Sequence, residues 1–246
     1  RSFLLGEPLI DETFDKESLC LLCRIINRDA FSEYKNAFVG KDVAIVGAGP
    51  TLNDYVPLKN AIHIGTNRTH MNKKLKLDFL FRQDFKNYDK EIFQCQVKKF
   101  IGYRMCPEST FLKLTNAKKF VIDFDTPRIP IDIDIEPLWH GGSVAFSAIQ
   151  FALWGNPKRI FIVGCDCAGQ NDPLHWHHFD DKDTSKHNLV PIKALLSGWE
   201  KIAGFASICY PDVEIISVNP VGLKGMFKDI YTEKYTMKNL SEKEKR

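Results

Sequence analysis

The side chains that could do chemistry in this chain of 246 residues follow short apolar runs. The first run is followed by a turn with two glycines and a threonine: Gly47, Ala48, Gly49, Pro50 and Thr51. The backbone amides of such a turn can face a phosphate group, and the hydroxyl of Thr51 can add a contact. It is not a complete dinucleotide fingerprint, because Leu52 stands at the third glycine position and no Walker lysine follows. We therefore predict an anion-binding turn here, with a purely structural elbow as the alternative.

Single small polar residues follow the next two apolar runs. Asn67 comes after the run that begins at Ala61, and Asp84 comes after the run that begins at Leu77. The asparagine could bind a base or a ribose, and the aspartate could bind a ribose, a metal or a sugar that develops positive charge. The alternatives are a turn residue at Asn67 and a helix N-cap at Asp84.

A glycine pair precedes the clearest predicted helix. Gly141, Gly142 and Ser143 open an apolar segment that ends at Gly155. Their amides could hold a phosphate or the carboxylate of a sugar acid. An ordinary N-cap at Ser143 is the alternative.

The segment after the apolar run Arg159 to Gly164 is rich in polar and titratable residues. Asp166 comes first and is assigned to nucleotide binding, and His177 and His178 follow in a loop that also holds His175. The cysteine and histidine spacing matches no closed zinc site, so we predict no metal here and a loop folded over a nucleotide instead. His187 lies in a polar stretch, where a neutral imidazole could accept a proton from an attacking hydroxyl; a surface histidine without a role is the alternative.

The elements that must position these residues alternate between strand and helix. This pattern predicts an α/β fold with a Rossmann-like parallel sheet and helices on both faces. Ligands of such sheets bind beyond the carboxyl ends of the strands, near the point where the strand order reverses, so we expect the listed residues to converge there. Residues 1–40 are predicted to be a helical lead-in that belongs to a longer chain, 41–230 the catalytic domain and 231–246 a lysine-rich tail. Residues 123–137 are predicted to be an extended surface loop.

Composition excludes several classes of protein. The 34 basic and 31 acidic residues give a net charge of only +3, which argues against nucleic-acid binding. No apolar run reaches the roughly 20 residues that a membrane span needs. Seven cysteines without a repeating spacing argue against a disulfide framework and favour a reducing compartment, and Cys20 and Cys23 are expected to be buried in an apolar helix.

Taken together, the motifs resemble bacterial CMP-dependent sialyltransferases of the Rossmann-like type, as well as motility-associated flagellin glycosyltransferases, retaining Kdo transferases and their pterin pyrophosphokinase relatives. The resemblance spans Asp42 to Met226. Its strongest pieces are Val43 to Leu52, Leu77 to Asp84, Gly141 to Asp166, His187 to Leu195 and a closing turn, Asn219 to Leu223.

The resemblance implies a role for each motif. Gly47, Gly49, Thr51 and Asn67 would hold CMP, and Gly142 and Ser143 would hold the phosphate or the sugar carboxylate. His187 would be the catalytic base and Asp84 would lie near the sugar. Sialyltransferases have asparagine at the place of Asp84, whereas the flagellin family and the retaining Kdo transferases tend to have an acid. A carboxylate there could act as a nucleophile, so the donor sugar and the choice between inversion and retention stay open.

The function implied by this resemblance is transfer of a nonulosonic acid, sialic acid-like or Kdo-like, from a CMP-activated donor to a glycan or protein acceptor in surface polysaccharide or glycoconjugate synthesis. No cofactor besides the donor is expected. A pterin-type pyrophosphokinase, which would need Mg²⁺, and a non-catalytic nucleotide-binding module are the alternatives. The expected location is the cytoplasm, with peripheral attachment at the inner face of the membrane and homo-oligomerisation left open.

Overall fold

Eight parallel strands form one sheet that runs through the whole molecule. The computed structural model describes residues 16–83, 90–103, 105–123, 128–168, 179 and 191–243, and within them the side chains of 21–238. In chain order the strands are β1 Asp42–Val46, β2 Ile62–Thr66, β3 Phe79–Arg82, β4 Lys98–Gly102, β5 Ala117–Phe120, β6 Ile122–Asp123, β7 Leu138–Trp139, β8 Arg159–Val163, β9 Glu214–Val218 and β10 Lys228–Ile230. The helices are α1 Lys16–Phe31, α2 Glu91–Gln94, α3 Glu108–Phe111, α4 Val144–Trp154, α5 Ile192–Cys209 and α6 Glu233–Lys243.

The strand order of the large sheet is β10-β9-β8-β1-β2-β3-β4-β5, and β6 pairs with β7 in a separate two-stranded sheet. The chain leaves β1 towards β5 on one side and returns to β8 on the other, so the strand order reverses between β1 and β8. This point is where doubly wound α/β folds bind their ligands. The predicted α/β fold with a parallel Rossmann-like sheet is confirmed, whereas the finer likeness to sialyltransferases stays a prediction.

Alternate residues of the central strands face two separate cores. In β1, Val43 and Ile45 pack under α4 and α5, and Ala44 and Val46 pack on the opposite face with Leu52. Runs of β-branched residues produce this pattern because a parallel strand that is covered on both faces must be apolar throughout. Helix α4 crosses β1, β2 and β3, so its first turn lies at their carboxyl ends.

The first helix is built into the main core. Phe31, at its end, is fully buried in a cluster of aromatic rings that includes Phe81, Phe100 and Phe151. Asn27, also fully buried, donates from Nδ2 to the Glu136 carbonyl and accepts at Oδ1 from the Val121 amide, both at 2.8 Å. The helical lead-in predicted for residues 1–40 therefore packs against the domain over its described part.

One expectation about a loop is corrected. Residues 123–137 were predicted to be an extended surface loop, but Ile129 and Ile133 are buried in the main core, because their apolar side chains fill space beside β7. The predicted lysine-rich tail, residues 231–246, begins directly after the edge strand β10 and contains α6. Cys23 is fully buried, as predicted.

Candidate functional site

The two loops that flank the reversal point approach each other so closely that only glycine fits. The Gly47 amide donates to the Val163 carbonyl and the Gly49 amide donates to the Gly164 carbonyl, both at 2.7 Å. A Cβ atom on Gly49 would lie 2.7 Å from the Gly164 oxygen and 2.7 Å from the Asp166 carboxylate. Both glycines of the turn are thus explained by backbone contact between the β1 and β8 loops.

The carboxylate of Asp166 joins the same two loops. Asp166 is 5% exposed, and its Oδ2 accepts from the Thr51 amide at 3.0 Å while its Oδ1 accepts a short bond from the Thr51 hydroxyl. A buried carboxylate that accepts from two donors is a strong local clamp between the loops. Hydrogen bonds to an ionised acceptor are stronger than hydrogen bonds between neutral groups. Asp166 and Thr51 were both predicted at a nucleotide site, and the structure brings them together.

The expectation of bare amides in this turn is wrong for Gly47, Gly49 and Thr51, because each amide donates to the β8 loop. Pro50 has no amide hydrogen. The Ala48 amide has no acceptor within the described ranges, and its carbonyl accepts from the Phe179 amide at 2.7 Å. A nucleotide role for these residues stays a prediction, and it would have to use Ala48 and side chains.

Asn67 lies beside this turn and has an unsatisfied atom. The hydroxyl of Thr66 donates to the Val46 carbonyl at 2.9 Å, so the loops after β1 and β2 begin side by side. The Oδ1 atom of Asn67 is buried and has no hydrogen-bond partner in the described part of the chain. Buried side-chain oxygens are nearly always paired in native structures, so this carbonyl calls for a donor that the described residues do not supply. The residue has φ 49°, a left-handed conformation that asparagine tolerates.

Two buried polar residues at the end of β3 lie at the same carboxyl edge of the sheet. Arg82 is 2% exposed and Gln83 is 4% exposed, and Gln83 Nε2 donates to the Ser147 hydroxyl in the first turn of α4 at 2.8 Å. This bond fixes the start of α4 against the carboxyl end of the sheet. Sequence analysis did not assign a role to Arg82 or Gln83, although a polar pair closing an apolar run was the signal for them.

Gly141, Gly142 and Ser143 begin α4 as predicted. The two glycines have φ of 56° and 89°, in the region that favours glycine. The Gly142 amide donates to His140 Nδ1 at 3.0 Å and the Ser143 amide donates to the His140 carbonyl at 3.2 Å, while Ser143 Oγ accepts from the Ala145 amide. Ser143 is therefore an N-cap of α4, which was the alternative interpretation of this segment. An anion at this helix start stays a prediction, because two of the three amides are engaged.

His140 was missed by the sequence analysis and is the residue that shapes this helix start. Burial lowers the pKa of His140 below its ordinary value, which favours the neutral ring. Because Nδ1 accepts from Gly142, the neutral ring carries its hydrogen on Nε2. The preceding residue, Trp139, is held by Gln150, whose side chain accepts from the Trp139 amide at 2.9 Å and donates to its carbonyl at 2.8 Å. The loop before α4 is thus positioned by α4 itself.

The closing turn after β9 contacts the Asp166 loop. The Gly222 amide donates to the Asp166 carbonyl at 2.8 Å. Asn219 is buried and accepts at Oδ1 from the Thr232 amide at 2.8 Å, while its Nδ2 donates to the Thr232 hydroxyl at 2.9 Å. The Thr232 hydroxyl in turn donates to the Asp54 carbonyl at 2.9 Å. The predicted closing turn therefore lies at the reversal point.

Helix α6 is fastened to the turn that carries Thr51. The carboxylate of Asp54 is nearly buried and lies 3.4 Å from Lys238 Nζ and 3.9 Å from Lys234 Nζ. Lys234 also donates to the Asn53 carbonyl at 2.8 Å. Part of the predicted lysine-rich tail thus supports the Pro50–Asp54 turn.

The cysteines beside Asp166 are buried thiols. Burial raises the pKa of Cys167 to about 12 and raises that of Cys165 well above its usual range. A raised pKa keeps both thiols protonated at neutral pH, which is unsuited to a nucleophile. Within residues 16–83, 90–103, 105–123, 128–168, 179 and 191–243, no group of three or more histidine, cysteine or acidic side chains could hold a metal ion.

Four of the predicted site residues lie outside the described residues: Asp84, His177, His178 and His187. Their assignments stay predictions. The described helices include none that is long and apolar enough to cross a membrane. No protein-family model matches this chain, and no curated protein is significantly similar to it in sequence.

Proposed function

We propose that this protein is a glycosyltransferase that transfers a nonulosonic acid from a CMP-activated donor to a glycan or glycoconjugate acceptor. The buried Oδ1 of Asn67, which has no partner among the described residues, carries the proposal, because it lies at the carboxyl edge of the sheet beside the reversal point. A nucleotide offers the missing donor, as a ribose hydroxyl or a base amino group. The Ala48 amide and the start of α4 at Ser143 border the same edge.

In the proposed reaction, some roles fall to residues at the carboxyl edge of the sheet and others to residues outside the described ranges. Asn67 would orient the nucleoside, and His187 would take the proton of the attacking hydroxyl as general base. Asp84 would stand beside the anomeric carbon of the sugar. The clamp between Thr51 and Asp166 would hold the nucleotide-side turn in place rather than contact the donor.

A pyrophosphokinase is less well supported by the same geometry. Phosphoryl transfer from ATP uses Mg²⁺ held by carboxylates, and Asp84 and Asp166 are the candidate ligands for it in this chain. Each oxygen of this carboxylate already accepts a hydrogen bond from Thr51. The bonds direct it towards the neighbouring loop, so this observation favours the transferase.

A thermal-shift panel tests the proposal. CMP, CDP, UDP, GDP and ATP, each with and without Mg²⁺, are added to the protein, since a ligand that binds only the folded state must raise the melting temperature. We expect the largest rise with CMP, independent of Mg²⁺. A preference for ATP with Mg²⁺ would favour the pyrophosphokinase, and no shift with any nucleotide would contradict both.

The substitution Asn67→Gly tests whether the Asn67 side chain contributes to CMP binding. Glycine tolerates the left-handed backbone, so the change removes the amide group without backbone strain. Loss of one hydrogen bond of about 1 kcal/mol should weaken CMP binding by about fivefold. Asn60→Gly is the matched control, because Asn60 has φ 63° and is exposed away from the site. Equal CMP affinity in the two variants would argue against a role for Asn67.

A further inference from the structure

A separate pocket of about 220 Å³ lies between the Pro50–Asp54 turn and the segment that follows the Asn67–Met71 turn. Its lining includes the aromatic residues Tyr55 and Phe179 as well as the exposed residues Lys73 and Lys74. The volume is below the roughly 300–1,000 Å³ of sites for drug-sized ligands, so the pocket suits one ring-sized unit.

The aromatic walls are fixed by hydrogen bonds. The Nδ1 atom of His63 lies 3.1 Å from the Ala61 carbonyl, which can only accept, so Nδ1 carries the hydrogen. Burial lowers the pKa of His63, and its neutral Nε2 accepts from the Tyr55 hydroxyl at 3.1 Å. The same hydroxyl oxygen accepts from the Leu58 amide at 3.1 Å. The hydroxyl is therefore engaged, and the ring of Tyr55 is what the pocket presents.

Phe179 is held in the same way by its backbone. Its amide donates to the Ala48 carbonyl at 2.7 Å, and its carbonyl accepts from Asn53 Nδ2 at 3.0 Å. Tyr55, Phe179 and Leu75 give the lining an apolar part against which the carbon face of a sugar can pack. The backbone of Phe179 is thus tied to the same turn that carries Asn53.

The lining also contains polar groups that can form further hydrogen bonds. Asn72 Oδ1 accepts from the Lys74 amide at 3.1 Å, which orders the lysine pair, while Asn72 Nδ2 and Asn53 Oδ1 have no partner in the part of the chain that the structure describes. Lys73 and Lys74 are exposed and form no ion pair with any described carboxylate. An amide donor, an amide acceptor and two positive charges that no described carboxylate pairs with line one pocket, and such a set attracts an anion that also carries hydroxyl groups.

We propose that this pocket is the acceptor subsite and binds one sugar unit that bears an anionic group, either a carboxylate or a phosphate. The inference rests on the proposed transferase function. Asn53 comes two residues after Thr51 and Met71 ends the turn that begins with Asn67, so the pocket borders both turns assigned to the donor. A transferase needs this arrangement, because donor and acceptor must meet at the bond that forms.

Ligand-observed NMR titrations of the protein, run first without CMP and then with a saturating concentration of CMP, test the subsite. The probes are glucuronic acid, glucose 6-phosphate, glucose and inorganic phosphate; the first two separate a carboxylate from a phosphate source. We expect at least one of the two acidic sugars to bind at least tenfold more tightly than both glucose and inorganic phosphate. Binding of both acidic sugars no tighter than glucose would overturn the proposal, as would their displacement by CMP, which would place the nucleotide in this pocket.

Two variants locate the binding. Lys73→Gln combined with Lys74→Gln should reduce the affinity for the acidic sugar at least tenfold, to that of glucose. Lys113→Gln combined with Lys224→Gln makes the same change in charge at exposed lysines that do not line the pocket and should leave the affinity unchanged. Equal affinity in the two double variants would overturn the proposal.

The substitution Met71→Trp fills the pocket itself and should abolish binding of the acidic sugar in a protein that still melts cooperatively. Retained binding in that variant would place the sugar elsewhere. The two proposals can fail separately: if CMP causes no thermal shift while the acidic sugar binds, the donor assignment fails, and if CMP binds but no sugar does, the acceptor subsite fails.

Discussion

The Asp166 carboxylate accepts hydrogen bonds from both the amide and the hydroxyl of Thr51, across the point where the strand order reverses. The contact joins residues 115 positions apart in sequence. A single side chain thus connects the two halves of the doubly wound sheet directly. We therefore expect Asp166 to matter for stability as well as for any ligand at this edge.

Asp166→Asn should destabilise the protein. The amide group cannot accept from both Thr51 donors, so one of them faces another donor and stays unsatisfied, at a cost of about 1–3 kcal/mol. Urea unfolding at neutral pH measures the difference in the free energy of unfolding. Asp212→Asn, at an exposed turn, should change it little. Equal effects of the two substitutions would show that the buried carboxylate contributes no special stability.

Gly49→Ala should lower the melting temperature. The added Cβ would meet the Gly164 carbonyl and the Asp166 carboxylate at 2.7 Å, and overpacking against backbone costs about 1–3 kcal/mol. Gly204→Ala is the control: Gly204 lies in α5 with no atom within 4 Å of an added Cβ. There the substitution should be neutral or stabilise by about 0.5–1 kcal/mol, because alanine favours the helix. A stable Gly49→Ala protein would contradict the close approach of the two loops.

The contacts of Asp166 and Gly49 show which features could be predicted from the sequence and which could not. The apolar runs and the glycine turn predicted the strands and the edge at which the polar residues gather, because strand periodicity and turn chemistry are local. The partners of the turn amides were not predictable, since Gly164 and Asp166 reach them only through pairing of β1 with β8. The same holds for His140 and Asn27, whose hydrogen bonds depend on tertiary contact or loop shape rather than on a motif.

His140→Asn should flatten the pH dependence of stability. The folded-state pKa of His140 is lowered by burial, so between that pKa and the ordinary value of about 6.5 the unfolded state binds more protons. The stabilising contribution is complete above that ordinary value and is lost as the pH falls through the folded pKa. Asparagine keeps an acceptor for the Gly142 amide but does not titrate.

Thermal melts of both proteins between about pH 7.5 and about pH 5.5 check this. The wild type should lose more stability over the interval than His140→Asn does. Because burial also lowers the pKa of His63, the variant should retain part of the slope. Identical slopes would mean that His140 ionises without penalty in the folded state.

Thr232→Val should loosen the attachment of the C-terminal segment. The hydroxyl of Thr232 connects Asn219 with the Asp54 carbonyl, and its loss should cost about 1–2 kcal/mol in urea unfolding. Thr236→Val removes an exposed hydroxyl that donates only to the Thr232 carbonyl one turn earlier, and it should cost less. If the two variants were equally stable, α6 would not be fastened through Thr232.

The position of β1 in the middle of the sheet has a consequence for synthesis of the chain. Its neighbour β8 lies 117 residues further along, as the ion pair between Asp42 and Arg159 shows. At about 5–20 residues per second, the ribosome needs on the order of ten seconds to supply that partner. Until then one edge of β1 has no permanent strand to pair with, and such apolar edges recruit other chains. The nascent protein therefore passes through an aggregation-prone interval, whose length is set by the distance along the chain between these two strands.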